Sequence, residues 1–225
     1  MIEKTCTAVI VAAGSASRMK GIDKTIAPLG GEPLILRTVK ALSKAESITD
    51  ILIVTREDLI PTVSEICKEE TKVTSVIAGG SSRSESVLRG LRQARGELVA
   101  IHDGARPFVT PEVICRTVSA AIEFGGAAPA IPVKDTIKVA DGGLVLDTPD
   151  RSNLFAVQTP QIFYRQEILR ALTEAMEQGI PLTDDCSAAE WAEMTVMLTE
   201  GSEENIKITT PMDLILGEAI LQRRS

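Results

Sequence analysis

Four cationic side chains sit in or beside stretches built almost wholly of small residues. Arg18 and Lys24 follow "VIVAAGSAS", Arg83 stands in "GGSSRS", and Arg106 closes "HDGAR". Small side chains leave backbone N–H groups open to a ligand, and positive charge gathered beside such groups is the chemistry of anion binding. The chain has 24 Lys and Arg against 31 Asp and Glu, a net charge of −7, so an anion site here must be a local concentration of cations. The same balance argues against an extended nucleic-acid surface.

Within these stretches, Ala12-Ala13-Gly14-Ser15 fits a phosphate-binding turn. A tight turn with solvated Arg18 and Lys24 would explain Gly14 but not the length of the loop that follows. There is no GxxxxGK[ST], which disfavours a P-loop NTPase, and no GxGxxG with an acidic residue ending the second strand, which disfavours a dinucleotide dehydrogenase. Asp103 has the chemistry of a Mg²⁺ ligand, since Mg²⁺ is commonly held by one or two carboxylates together with substrate phosphates. A capping or turn role for the same Asp stays open. His102, the single histidine, reads as structural. Thr183-Asp184-Asp185 reads as the start of a helix, and Lys207 in "NIKITTP" as the end of a late strand near the same crevice.

Those residues need a frame, and the hydrophobic pattern supplies one. Ala8 to Ala13, Asp50 to Thr55, Val73 to Ala78, Leu98 to His102 and Ala127 to Pro132 are short apolar runs, as strands buried on both faces would be. Between them, Pro33 to Ala45, Glu57 to Lys68, Ser84 to Arg95 and Pro111 to Phe124 carry apolar residues at helical spacing. Ser82-Arg83-Ser84-Glu85 has the form of a capping box, and Thr110-Pro111 and Thr210-Pro211 each place a cap before a first-turn Pro. Alternation of this kind predicts an α/β, doubly wound sheet with ligands outside the carboxyl ends of its strands. The loops holding Gly14, Arg83 and Asp103 then share one face.

"VKDTIKVADGGLVLDT", Val133 to Thr148, breaks the rhythm with two alternating runs around Asp141-Gly142-Gly143, a hairpin signal. An isolated hairpin is marginal in water, so an arm docking on another subunit is expected, the other reading being a hairpin lying on its own domain's edge. The four cysteines, Cys6, Cys67, Cys115 and Cys186, form no CxxC pair and read as buried free thiols. No apolar run reaches membrane-span length, and "MIEKTCTAVIVAAG" lacks a basic segment before its short apolar run, so a cytoplasmic location is expected.

With these pieces assembled, the chain resembles the nucleotide-diphospho-sugar transferase superfamily and, within it, the 2-C-methyl-D-erythritol 4-phosphate cytidylyltransferases. The motifs "VIVAAGSASRM", "GGSSRSESVLRGL", "HDGARPFV", "VKDTIK", "QTPQIF", "TDDCSAAE" and "EGSEENIKIT" carry the likeness over nearly the whole chain. The resemblance implies one Rossmann-like, mostly parallel domain over residues 1–225, with 133–153 as a β-arm for homodimerisation. It implies CTP contacts from Ala12, Ala13, Gly14, Ser15, Gly80, Ser81, Arg83, Ser86, Asp103 and Ala105, with Mg²⁺ at Asp103. Arg106, Thr136, Arg151, Thr159, Thr183 and Lys207 would receive the methylerythritol phosphate, Thr136, Arg151 and Thr159 reaching the partner subunit's site. Arg18, Lys24, Arg151 and Lys207 would be catalytic. The sequence departs from the family's usual Pro-Lys-Gln at Ile22-Asp23-Lys24-Thr25, where Asp23 can pair with Lys24 or help hold metal. Two rivals stand beside this reading: a pentitol cytidylyltransferase acting on ribitol 5-phosphate, and a CTP-sensing module without turnover.

Overall fold

The computed structural model describes residues 4–14 and 25–224. Ser15, Arg18, Asp23 and Lys24 lie outside the described residues. The strands are β1 (Cys6–Ala12), β2 (Pro28–Leu29), β3 (Glu32–Pro33), β4 (Asp50–Thr55), β5 (Val73–Ala78), β6 (Leu98–Asp103), β7 (Gly126–Pro132), β8 (Val139–Asp141), β9 (Leu144–Asp147), β10 (Phe155–Val157), β11 (Gln161–Tyr164) and β12 (Met197–Glu200). The helices are α1 (Leu34–Ser43), α2 (Ile60–Ile66), α3 (Arg83–Gln93), α4 (Pro111–Phe124), α5 (Arg165–Glu177), α6 (Asp185–Trp191) and α7 (Pro211–Arg224), with a 3₁₀ turn at Glu57–Leu59 leading into α2.

Among the described residues the main sheet has eight strands, in the order β10-β7-β11-β6-β1-β4-β5, with β12 paired to β7. The β5-β4-β1-β6 block is parallel, and its register sets Ala12 beside Thr55 and Val11 beside Asp103. Alternate residues face opposite layers. Ala8, Ile10, Ile51, Ile53, Leu98 and Ala100 pack with α1 and α4, while Val9, Leu52, Val54, Val99 and Ile101 pack with α3, α5 and α6. The doubly wound, mostly parallel architecture is as expected, because each central strand is apolar in both directions.

The sheet also holds strands the sequence pattern did not show. β11, four residues long, lies antiparallel between β6 and β7, and β10 lies antiparallel on β7. Segments this short display no period. A strand ending at Lys207 was expected, and none forms there; Asn205–Thr209 is irregular chain held to the end of β6 through Ile208 N–H donating to the Ala105 carbonyl at 2.8 Å. One such bond fixes a position without building a ladder.

The caps follow the sequence with one change. Ser82 accepts the Glu85 N–H at the start of α3, but the Glu85 carboxylate turns to the N–H and hydroxyl of Ser81, each at 2.7 Å, instead of to Ser82. Thr110 and Thr210 cap α4 and α7 by accepting from Val113 and Asp213. The hairpin forms as β8 and β9, with Gly142 and Gly143 at φ +52° and +88°, the positive values a type I′ turn requires. Cys6, Cys67 and Cys186 are buried, and burial pushes the first two thiols up to about 12 and about 11; Cys115, expected inside, is exposed. No helix of the described residues is long and apolar enough to cross a membrane.

Candidate active site

A cavity of about 400 Å³ opens at the carboxyl ends of β1, β4, β5 and β6. Its walls include Ala12, Ala13 and Gly14 from the first loop, Gly80, Ser81, Arg83 and Ser86 around the start of α3, Asp103 and Ala105 from the end of β6, and Lys207. Every described residue expected to contact CTP therefore lies on one surface. Gly79 sets the distance between two of these walls: a Cβ there would stand 2.4 Å from that of Ala13. Only Gly lets the first and third loops approach so closely.

Charge in the cavity converges on Asp103, which is 7% exposed. Its carboxylate lies 2.8 Å from Lys207 Nζ, 3.5 Å from Arg106 Nε and 3.6 Å from Arg83 Nη2. Burial would raise its pKa, but Lys207, Arg83 and Arg106 outweigh that and hold it at about 2. Asp103 is thus ionised throughout the working range, the one carboxylate among the described residues that line the cavity.

Arg83 is further held by Asp185, the first residue of α6, in a two-pronged pair: Nη1 to Oδ1 at 3.0 Å and Nη2 to Oδ2 at 2.8 Å. Asp185 is 1% exposed, and its burial pushes its pKa up against the opposing pull of Arg83. A planar guanidinium suits this fork where an ammonium would not. Arg83 thereby meets the cavity already oriented, with Asp103 on its other side.

His102 is fully buried and takes no part in the cavity. Its Nε2 donates to the Arg106 carbonyl at 3.0 Å, so Nδ1 accepts from the Thr159 hydroxyl at 3.0 Å. That hydroxyl accepts the Asp103 N–H at 3.1 Å. Burial holds the imidazole neutral, with a pKa of about 4. The histidine is structural, as its sequence context implied.

The remaining expected residues scatter. Arg106 is partly buried beside Asp103, with Nη1 donating to the Asn205 carbonyl at 2.6 Å. Thr136 and Arg151 are exposed on and after the hairpin, and Arg151 donates to the Lys134 carbonyl at 2.8 Å. Thr183 pairs with Ser187 at 2.8 Å beside the start of α6. Thr159, expected to reach a partner's site, is 4% exposed, and its hydroxyl is engaged by His102 and the Asp103 N–H. Within its own chain it supports Asp103 from below.

The family model described as 2-C-methyl-D-erythritol 4-phosphate cytidylyltransferase matches residues 6–223. The chain belongs to that family. The cytidylyltransferase of this name from Caldanaerobacter subterraneus is 42% identical over 228 residues, covering 96% of this chain and 99% of the relative. That from Geobacillus thermodenitrificans is 44% identical over 222 residues, covering 96% and 97%. Among solved structures, the 4-diphosphocytidyl-2C-methyl-D-erythritol synthase of Anaerococcus prevotii superposes with a TM-score of 0.89 at 30% identity, covering 98% of this chain and all (100%) of that one. The Thermus thermophilus cytidylyltransferase gives 0.80 at 29%, covering 95% and 98%.

For a member of this family, the structure adds residues the sequence reading left out. Arg56 and Thr25 line the cavity, the first placed there by the end of β4. Arg56 also forks Asp58, at 3.0 and 2.8 Å. Asp185 was legible only as part of a helix start. "TDD" marks it, but nothing local to that motif points to Arg83, 102 residues away.

Proposed function

We propose that the chain transfers CMP from CTP to 2-C-methyl-D-erythritol 4-phosphate, releasing pyrophosphate and forming 4-diphosphocytidyl-2-C-methyl-D-erythritol. The observation that carries this reading is the cavity itself, in which a small-residue turn and the glycine loop before α3 face the cation-ringed Asp103. The family and the relatives' names support the acceptor.

An acceptor phosphate oxygen attacks the α-phosphorus of CTP in line with the departing pyrophosphate. That oxygen is already an anion, so no general base is needed, which suits a cavity without histidine among its described residues. Catalysis is then positioning plus charge neutralisation. Ala12, Ala13, Gly14 and Ser15 cradle the phosphates, and Gly80, Ser81, Arg83 and Ser86 hold the base and neighbouring groups. Arg18 and Lys24 meet the charge that develops at the α-phosphate. Arg106, Thr183 and Lys207 receive the acceptor phosphate. The single ionised carboxylate of Asp103 fits Mg²⁺, which takes one or two carboxylates and fills its shell with phosphate oxygens. When bound, Mg²⁺ supplies further neutralisation of phosphoryl charge.

The single domain would act as a homodimer through residues 133–153, with Thr136 and Arg151 offered to the partner's acceptor site. Support comes from the arm's composition: Leu144, Val145 and Leu146 are 76%, 59% and 67% exposed. Apolar side chains adjoining in this way mark a surface made to be covered. A cytoplasmic location fits a chain that acts on soluble phosphates.

Pyrophosphate release on mixing the protein with CTP, Mg²⁺ and methylerythritol phosphate is the direct test. A clear preference for ribitol 5-phosphate would overturn the acceptor, and CTP binding without pyrophosphate release would overturn the enzyme reading.

A further inference from the structure

The segment Gln158–Gln161 contributes nothing to the cavity wall, yet three of its residues are buried polar groups tied to different parts of it. Gln161 Oε1 accepts the N–H groups of Asp185 and Cys186, each at 3.0 Å, and its Nε2 donates to Asp184 Oδ2 at 2.8 Å. The first turn of α6 is thereby fixed to β11, and from that turn Asp185 forks Arg83. Gln158 faces the other way. Its Oε1 accepts from Ser202 N at 3.2 Å and Asn205 Nδ2 at 3.3 Å, and its Nε2 donates to the Ser202 carbonyl at 2.8 Å. Asn205 in turn offers its carbonyl to Arg106, and two residues later Lys207 reaches Asp103.

Buried amides are costly unless paired, and those of Gln158 and Gln161 are paired entirely with chain that carries site residues. We propose that these two glutamines are positioning residues for separate halves of the reaction. Gln161 sets Arg83 for the nucleotide through Asp185; Gln158 sets Arg106 and Lys207 for the acceptor through Asn205. This rests on the assignment above of Arg83 to CTP and of Arg106 and Lys207 to the acceptor phosphate. Thr159, between them, fixes the Asp103 backbone that both halves share.

The test is steady-state kinetics of the full chain with each substrate varied in turn. Gln161→Ala should raise KM for CTP about tenfold while KM for methylerythritol phosphate stays within about twofold, and Gln158→Ala should do the reverse. In an Arg83→Ala background, Gln161→Ala should add no further rise in KM for CTP, which a general loss of stability would not reproduce. Where an alanine variant does not fold, Gln161→Asn or Gln158→Asn, which keep a neutral amide but withdraw it by one methylene, should show the same split. Equal shifts of both KM values in each variant overturn the proposal and leave the site reading standing. An unchanged KM for CTP in Arg83→Ala overturns both.

Discussion

In the crevice, Asp103 and Asp185 are buried carboxylates, and each has a cation within 3 Å. Along the hairpin arm the balance reverses: Val139, Leu144, Val145 and Leu146 are exposed apolar side chains. One region has its buried carboxylates answered by cations of its own chain, from positions far apart in sequence. The other has apolar surface that its own chain leaves uncovered. The difference separates what one chain completes by folding from what a second copy would complete. If the arm docks as proposed, the acceptor half of the site would need the second copy, and the described part of the nucleotide half would not.

The largest effect should fall on the proposed catalytic cations. Arg18→Ala should lower kcat by about 10²–10³ with a much smaller change in KM for CTP, if its charge meets the transition state as proposed. A near-normal kcat would break the assignment. Next, Asp185→Asn should destabilise the fold by about 2 kcal/mol in urea denaturation, below the usual cost of splitting a buried ion pair because the Arg83 side chain is 32% exposed. No loss of stability would mean that the pair does not hold α6 to α3.

The arm supplies the contrast. Leu144→Asp with Leu146→Asp should halve the mass seen by light scattering and lower turnover about tenfold, while CTP affinity by calorimetry changes less than twofold. Equal loss of CTP affinity would erase the distinction between the two regions. The smallest effect should come from Ser82→Ala, which removes the cap of the helix that carries Arg83 and should cost about 1 kcal/mol in the same urea assay.

Much of the frame was legible because it is written in local pattern. The central strands are continuous apolar runs, α1 and α3 bury residues at helical spacing, and Asp141-Gly142-Gly143 has the residues a tight hairpin turn needs. The loop residues of the nucleotide half were legible for the same reason, since small residues and cations following a buried strand form a short-range signal. Lys207 was named through its motif but placed on a strand that does not form. β11 was missed because four residues carry too little pattern to distinguish strand from loop. Thr159 was read through the resemblance as reaching a partner's site, and only the fold shows it buried beside Asp103.

The sequence by itself determined the alternation of strands and helices, the turn chemistry and the loops rich in small residues, because each depends on neighbours along the chain. The tertiary structure decided that Arg83 meets Asp185 across 102 residues, that Arg106 meets the Asn205 carbonyl across 99, and that Asp103 gathers Lys207 with both arginines. Those pairings follow from the strand order, which brings the end of β6 between the loops of its neighbours, and from the cost of burying a charge without a partner. Local pattern holds neither.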